Sequence, residues 1–128
     1  EMTLLSMLLL KHLIADYYLQ VTFKFRDKHI YGSWGGVSHA GNHGILTALC
    51  LLPFVESAEW AILFTAWMYG MLDFALHYHI DYVKANYSKR YPSLPTERKY
   101  WIVLGIDQLA HVLTYILIVY LLFAEQVI

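Results

Sequence analysis

Hydrophobic residues along this chain of 128 residues group into four long segments that are separated by polar connections. Each segment approaches the ~20 residues that a helix needs to cross the hydrocarbon core of a bilayer. The pattern predicts an all-α protein, an integral membrane bundle of four transmembrane helices that forms a single domain over residues 1–128. The segments run from about Thr3 to Phe23, Ser38 to Val55, Ala58 to Val83 and Tyr100 to Phe123.

The connections carry residues that end or begin helices. A glycine-rich stretch at 32–36 is expected to break the helix, and Ser38 is placed to cap the second helix. Prolines interrupt the third connection, and Thr96 is placed to cap the fourth helix. The second connection is short, and Glu56 and Glu59 suit the N-terminus of the third helix, where negative charge is favourable. We expect the helix boundaries at these points.

Composition agrees with burial in lipid. Hydrophobic residues make up 59% of the chain and charged residues 15%, and the mean hydropathy is +0.45, which is high for a soluble domain of this length. The net charge of −1 gives no indication of nucleic-acid binding. The single cysteine, Cys50, can form no disulfide within the chain. The expected partner is therefore membrane lipid, with other membrane subunits as a further possibility.

Basic residues are distributed unevenly between the connections. Eight of the nine fall in or beside the first and third connections, which lie on the same side of a four-helix bundle. The positive-inside rule makes that side cytoplasmic and places both termini on the non-cytoplasmic side. The eight residues are Lys24, Arg26, Lys28, Lys84, Lys89, Arg90, Arg98 and Lys99.

Ionisable residues also lie inside the apolar segments, where each costs at least ~2.5–3.5 kcal/mol unless it is compensated. They recur at intervals of four, so each helix carries one polar stripe. At ~1.5 Å per residue, the main members lie roughly 8–11 Å from the cytoplasmic ends of their helices. The stripes are His12 and Asp16, His39 and His43, Asp73, His77 and Asp81, and Asp107 and His111.

Imidazole and carboxylate groups at one depth suit a divalent transition metal, zinc first, with iron or manganese as alternatives. Gln20 and Gln108 are better placed to orient carboxylates than to bind metal. His39 stands near the predicted helix start and is expected to cap the helix or face water. His79 lies off the stripe, and Lys84 is expected to extend to the headgroups. The predicted ligands are His12, Asp16, His43, His77, Asp81, Asp107 and His111.

Three strings also indicate a family: H-x3-D-x2-LQ at 12–20, H-x3-D-x2-K at 77–84 and DQ-x2-H at 107–111. They resemble motifs of small bacterial and phage membrane proteins known as domain-of-unknown-function family 3307. The resemblance implies a four-helix membrane fold, in a bacterial inner membrane, and supplies no established activity. It leaves open whether Lys24 or Lys28 is the basic residue of the first connection.

Three classes of function fit these features. The first is a metal-dependent hydrolase of a lipid-linked or phosphate-containing substrate, in which Asp81 or Asp107 acts as the base. The second is a structural or accessory subunit of a membrane assembly, whose buried His and Asp pairs fix helix packing. The third is a haem-binding or proton-handling protein, with His12 and His111 as a haem pair. The aspartates argue against haem, since they would lie unpaired beside a porphyrin.

Overall fold

The fold, known from a computed structural model, is described for residues 1–23, 26–55 and 59–125. Within these ranges the chain forms four long helices and no strand, so the all-α prediction is confirmed. A short 3₁₀ turn, Leu52–Phe54, follows the second helix. The helices are α1 (Met2–Phe23), α2 (Trp34–Leu51), α3 (Glu59–Arg90) and α4 (Arg98–Glu125).

Each helix packs against its neighbours in sequence, and α1 also contacts α4, so the four helices close into a bundle. The short connections make neighbouring helices antiparallel. The closest approach is between α2 and α3, where Gly44 faces Gly70. A Cβ atom on either glycine would lie 2.6 Å from the backbone oxygen of the other. Only glycine therefore fits at this crossing.

The bundle has two chemically different halves. The half in which α1 begins and α4 ends, here the terminal half, holds an apolar core from all four helices. The half beside the first and third connections, here the connection half, holds buried histidines and aspartates instead. The apolar core consists of Leu4, Leu8, Leu51, Ala66, Tyr69, Tyr115, Ile118 and Leu122.

The predicted start of the second helix was wrong. Helix α2 begins at Trp34, and its N-cap is Ser33, whose hydroxyl accepts a hydrogen bond from the Gly36 backbone N–H. Gly36 lies within the first helical turn and does not break the helix, and a Cβ there would lie 3.2 Å from the Tyr78 ring, a tight contact. Gly32, with φ of 75°, is the glycine that turns the chain.

Other boundaries also moved. Helix α3 continues to Arg90, seven residues beyond the predicted end at Val83. Its 32 residues correspond to about 48 Å at 1.5 Å per residue, which exceeds the ~30 Å hydrocarbon core. Helix α4 begins at Arg98, so Thr96 does not occupy the capping position. Glu56 lies outside the described residues.

Two of the four helices are long and apolar enough to cross a membrane by length and composition, Met2–Phe23 and Arg98–Ala124. This supports association with a membrane. Helices α2 and α3 do not reach the same mean hydropathy within the described part of the chain.

Candidate metal centre

The connection half contains eight buried or nearly buried His and Asp side chains, contributed by all four helices. We call them the His/Asp centre. Four of its histidines expose 1% or less of their surface, which is unusual for a titratable residue type unless it is paired or bound. The centre consists of His12, Asp16, His39, His43, His77, Asp81, Asp107 and His111.

One group within the centre has the separations of a metal site. The Oδ1 atom of Asp16 lies 3.1 Å from Nε2 of His39, 3.0 Å from Nε2 of His43 and 3.8 Å from Nε2 of His77. The Nε2 atoms of His39 and His77 are 3.2 Å apart. Tetrahedral bonds of ~2.0–2.1 Å to zinc place ligand atoms roughly 3.3 Å from one another. The four separations, among atoms from three helices, are thus close to those of a tetrahedral ligand set.

Asp16 reaches this group from a π-helical segment of α1, Ile14–Leu19. Single π-helical turns inside α-helices occur frequently at functional sites, because the wider turn redirects side chains. The sequence predicted a helix here but gave no indication of its π geometry.

A second group consists of Asp81, Asp107 and His111. The Nε2 atom of His111 is 3.5 Å from Oδ1 of Asp81 and 3.7 Å from Oδ1 of Asp107. Neither the His111 Nε2 atom nor Asp107 Oδ1 has a hydrogen-bond partner among the described residues. An unsatisfied buried polar group costs ~1–3 kcal/mol, and a cation between these atoms would satisfy both.

The two groups share a boundary. Oδ2 of Asp81 lies 3.4 Å from Nε2 of His39 and 3.7 Å from Nε2 of His77, while its Oδ1 faces His111. The Asp81 carboxylate thus connects the first group to the second. Carboxylates in such positions bridge paired metal ions that are about 3.5–4 Å apart.

His12 is the member of the centre that contacts the apolar core. Its Nδ1 atom is hydrogen-bonded to the Tyr115 hydroxyl at 2.9 Å, and its Nε2 atom is 3.3 Å from both Gln108 Oε1 and Asp16 Oδ2. His12, His77 and His111 form a third possible ligand group. Because His77 and His111 each belong to two groups, the three groups cannot all hold separate ions with complete ligand sets.

Two lysines face the centre from the connection end. Lys28 Nζ donates to Gln20 Oε1 at 2.6 Å and to Asp81 Oδ2 at 2.7 Å, so it is Lys28 that the described chain brings to the site, and Lys24 lies outside the described residues. Lys84 was predicted to extend to the headgroups. Its Nζ lies 3.4 Å from Asp107 Oδ2, so this lysine also contacts the centre.

The two glutamines differ in what they hold. Gln108 Nε2 donates to Asp107 Oδ2 at 3.2 Å, the orienting contact that the sequence suggested. Gln20 instead accepts a hydrogen bond from Lys28, and Lys28 in turn donates to the Asp81 carboxylate.

Sequence reasoning undervalued His39. It was expected to cap a helix or face water, but α2 begins at Trp34 and so His39 lies inside the helix, 1% exposed. The available signal was its four-residue spacing from His43. The expected contrast with His79 is present, since His79 is exposed and contacts the Ala75 carbonyl and the Tyr31 hydroxyl.

A separate ionic cluster lies beside the centre on its terminal side. Lys11 Nζ donates to Asp73 Oδ2 at 2.6 Å, and the Thr47 hydroxyl donates to the same oxygen at 2.6 Å. Lys11 also lies 3.3 Å from His43 Nδ1. The i, i+4 pattern placed Asp73 in one stripe with His77, but its partner is this lysine. The signal for Lys11 was its place as the single basic residue inside an apolar segment.

The fold and centre define a class of all-helical proteins with a buried cluster of histidine and aspartate between their helices. The chain belongs to the family described as "Protein of unknown function (DUF3307)", which matches residues 4–127. The expected family resemblance is thereby confirmed over nearly the whole chain. Neither the curated proteins nor the solved structures contain a match to it.

Proposed function

We propose that the protein crosses the membrane four times. Support comes from an inside-out distribution of side chains: large apolar residues on every helix face outward, among them Leu10, Ile45, Trp67 and Leu113, each more than half exposed. Lys11, Asp73 and the four histidines His39, His43, His77 and His111 are buried instead. Helices α2 and α3 carry much of this polar interior, which lowers their mean hydropathy without removing an apolar outer face. On the charge distribution, the connection half faces the cytoplasm.

This topology is testable with single cysteines in a Cys50→Ala background. Cysteines replacing Ser88 and Pro53, which lies in the turn after α2, should react with a membrane-impermeant maleimide on opposite sides of sealed vesicles, Ser88 on the cytoplasmic side. Labelling of both from the same side would contradict the four-span topology.

We further propose that the His/Asp centre binds a divalent transition metal, zinc by preference. The observation that carries this proposal is the separation of 3.0–3.8 Å among Asp16 Oδ1 and three Nε2 atoms, from His39, His43 and His77. Three imidazole nitrogens and one carboxylate oxygen are ligands that zinc, a borderline-soft cation, takes in proteins. A cation there also offsets the cost of burying Asp16 and Asp81 together.

Hydrolysis is the activity that we propose for the centre. The group of Asp81, Asp107 and His111 provides three protein ligands, the number typical of catalytic zinc sites that keep one position open for water. Metal binding lowers the pKa of such a water to about 7. Asp81 or Asp107 would accept the water proton through a carboxylate oxygen that does not hold the ion, and Lys84, whose Nζ lies 3.4 Å from Asp107 Oδ2, would neutralise charge on a phosphate ester.

Elemental analysis of the purified full-length chain tests the metal proposal. We expect about one to two equivalents of zinc, iron or manganese per chain after purification without chelator. Less than roughly a tenth of an equivalent, with none regained on reconstitution, would overturn it. Release of inorganic phosphate from a lipid phosphomonoester, abolished by chelation and restored by the metal, tests the hydrolytic step.

The alternative of a packing function is favoured by a specific observation, the buried Lys11–Asp73–Thr47 cluster. That cluster pairs Asp73 Oδ2 without a metal and joins three helices, as register-fixing polar groups do. Haem ligation by His12 and His111 has less support, because their rings are tilted with centroids 4.9 Å apart, which leaves no room for a porphyrin between them. A metal-free, fully stable protein would favour packing over hydrolysis.

A further inference from the structure

An open groove runs between α3 and α4 on the outside of the connection half. Its volume is about 910 Å³, at the upper end of the ~300–1,000 Å³ of small-molecule sites. Most of its wall is apolar, with Ile80 and Val83 from α3 facing Ile102, Ile106 and Ala110 from α4. A surface of this shape and polarity suits a hydrocarbon chain.

Positive charge lines the groove as well. Lys84, Arg98 and Lys99 are among its lining residues. Arg98 and Lys99 are the first two residues of α4, where the unpaired backbone N–H groups and the helix dipole also favour an anion. The apolar wall and the cations together complement an amphiphile with an anionic headgroup.

The groove is continuous with the His/Asp centre through one residue. Asp107 lines the groove, and its carboxylate lies 3.7 Å from Nε2 of His111 and 3.4 Å from Nζ of Lys84. A phosphate held by Lys84 would therefore lie next to the group of three ligands in which a position remains for water.

We propose that this groove binds an anionic phospholipid. Its phosphate lies among Lys84, Arg98 and Lys99, and one acyl chain lies along Ile106 and Ala110. The inference rests on the proposed function, which it deepens by naming a phospholipid as the substrate class. A free phosphate would use the cations but leave the apolar wall uncovered.

Native mass spectrometry of the full-length chain in detergent tests this directly. Dioleoyl phosphatidic acid should bind at lower concentration than dioleoyl phosphatidylcholine, because its headgroup carries net negative charge. Glycerol 3-phosphate, which shares the headgroup chemistry without the chains, should bind much more weakly than phosphatidic acid. Equal binding of the two lipids would overturn the headgroup assignment, and equal binding of glycerol 3-phosphate would overturn the groove.

Matched variants locate the site. The double variant Arg98→Gln/Lys99→Gln should weaken phosphatidic acid binding roughly thirty-fold, given the usual contribution of two basic residues to anionic lipid binding. Lys89→Gln/Arg90→Gln removes the same charge from exposed positions at the same end of the bundle, outside the groove, and should change binding little. Equal losses in the two double variants would mean general surface attraction and would overturn the proposal.

The apolar wall has its own pair of variants. Ala110→Phe should block the acyl chain and reduce phosphatidic acid binding, whereas Leu109→Phe, at an exposed neighbouring position outside the groove, should not. Equal effects of the two would overturn the proposed chain path.

Metal content is measured on every one of these variants, and lipid binding is repeated after chelation. Lipid binding by a protein that contains no metal as purified and regains none on reconstitution would keep the groove and overturn the metal centre. Full metal content without a preference for phosphatidic acid over phosphatidylcholine would keep the metal centre and overturn the groove.

Discussion

The terminal and connection halves of the bundle use the same four helices in opposite ways. In the terminal half, Leu4, Leu8 and Ile118 are fully buried against other apolar side chains, and their packing is complete within the chain. In the connection half, His77, His43 and other ionisable groups occupy the equivalent interior positions. The comparison shows that the terminal half is stabilised by close apolar packing. The connection half depends on partners that compensate its buried charges and satisfy its hydrogen bonds.

The largest effect on stability is expected at the boundary between the halves. Lys11→Met should destabilise the protein by about 3–5 kcal/mol, because it leaves the Asp73 carboxylate buried without its cation. Thermal unfolding in detergent measures the change. The double variant Lys11→Met/Asp73→Leu should recover much of the loss, since it removes both charges. No recovery would mean that Lys11 acts through packing alone.

A deletion in the terminal half separates packing from metal. Leu8→Ala should cost about 2–5 kcal/mol through lost contacts and a cavity, and the metal content should stay that of the unmodified protein. Its melting temperature, compared with and without chelator, should shift by the same amount in both conditions. A shift in melting temperature that differs between the two conditions would show that the two halves are not independent.

A deletion in the connection half should give the opposite pattern. His77→Ala removes a residue shared by two ligand groups. The metal affinity should fall more than roughly a hundred-fold, because loss of a residue that only orients a ligand already costs 10–100-fold. Chelation should destabilise the unmodified protein but not this variant. His79→Ala, on the exposed side of the same helix, is the matched control. Equal metal retention by the two variants would remove α3 from the site.

The smallest effect concerns orientation. Gln108→Ala removes the amide that donates to Asp107 Oδ2 and should lower metal affinity about ten-fold, as outer partners do. Unfolding in the presence of chelator should differ little from that of the unmodified protein. Gln108→Glu places a further negative charge beside Asp107 and His12. If neither substitution changes the metal affinity, an orienting role for Gln108 is excluded.

Much of this architecture could be predicted from the sequence. Four apolar segments gave the four helices, since hydrophobic runs of this length have few other solutions. Steps of four residues placed His12 with Asp16 and Asp107 with His111 on shared faces, because that spacing is a property of any helix. The uneven distribution of basic residues gave the predicted orientation.

The tertiary structure alone decided which stripes meet. Asp73 shares a helix face with His77, yet it pairs with Lys11 of another helix, because the relative height of two helices depends on packing such as the Gly44–Gly70 contact. The π-helical segment around Asp16 and the burial of His39 are likewise features of the structure that were not predicted from the sequence. Sequence spacing determines which side chains are neighbours on one helix. Which side chains of different helices meet depends on how closely the two backbones approach and on the relative height of the helices.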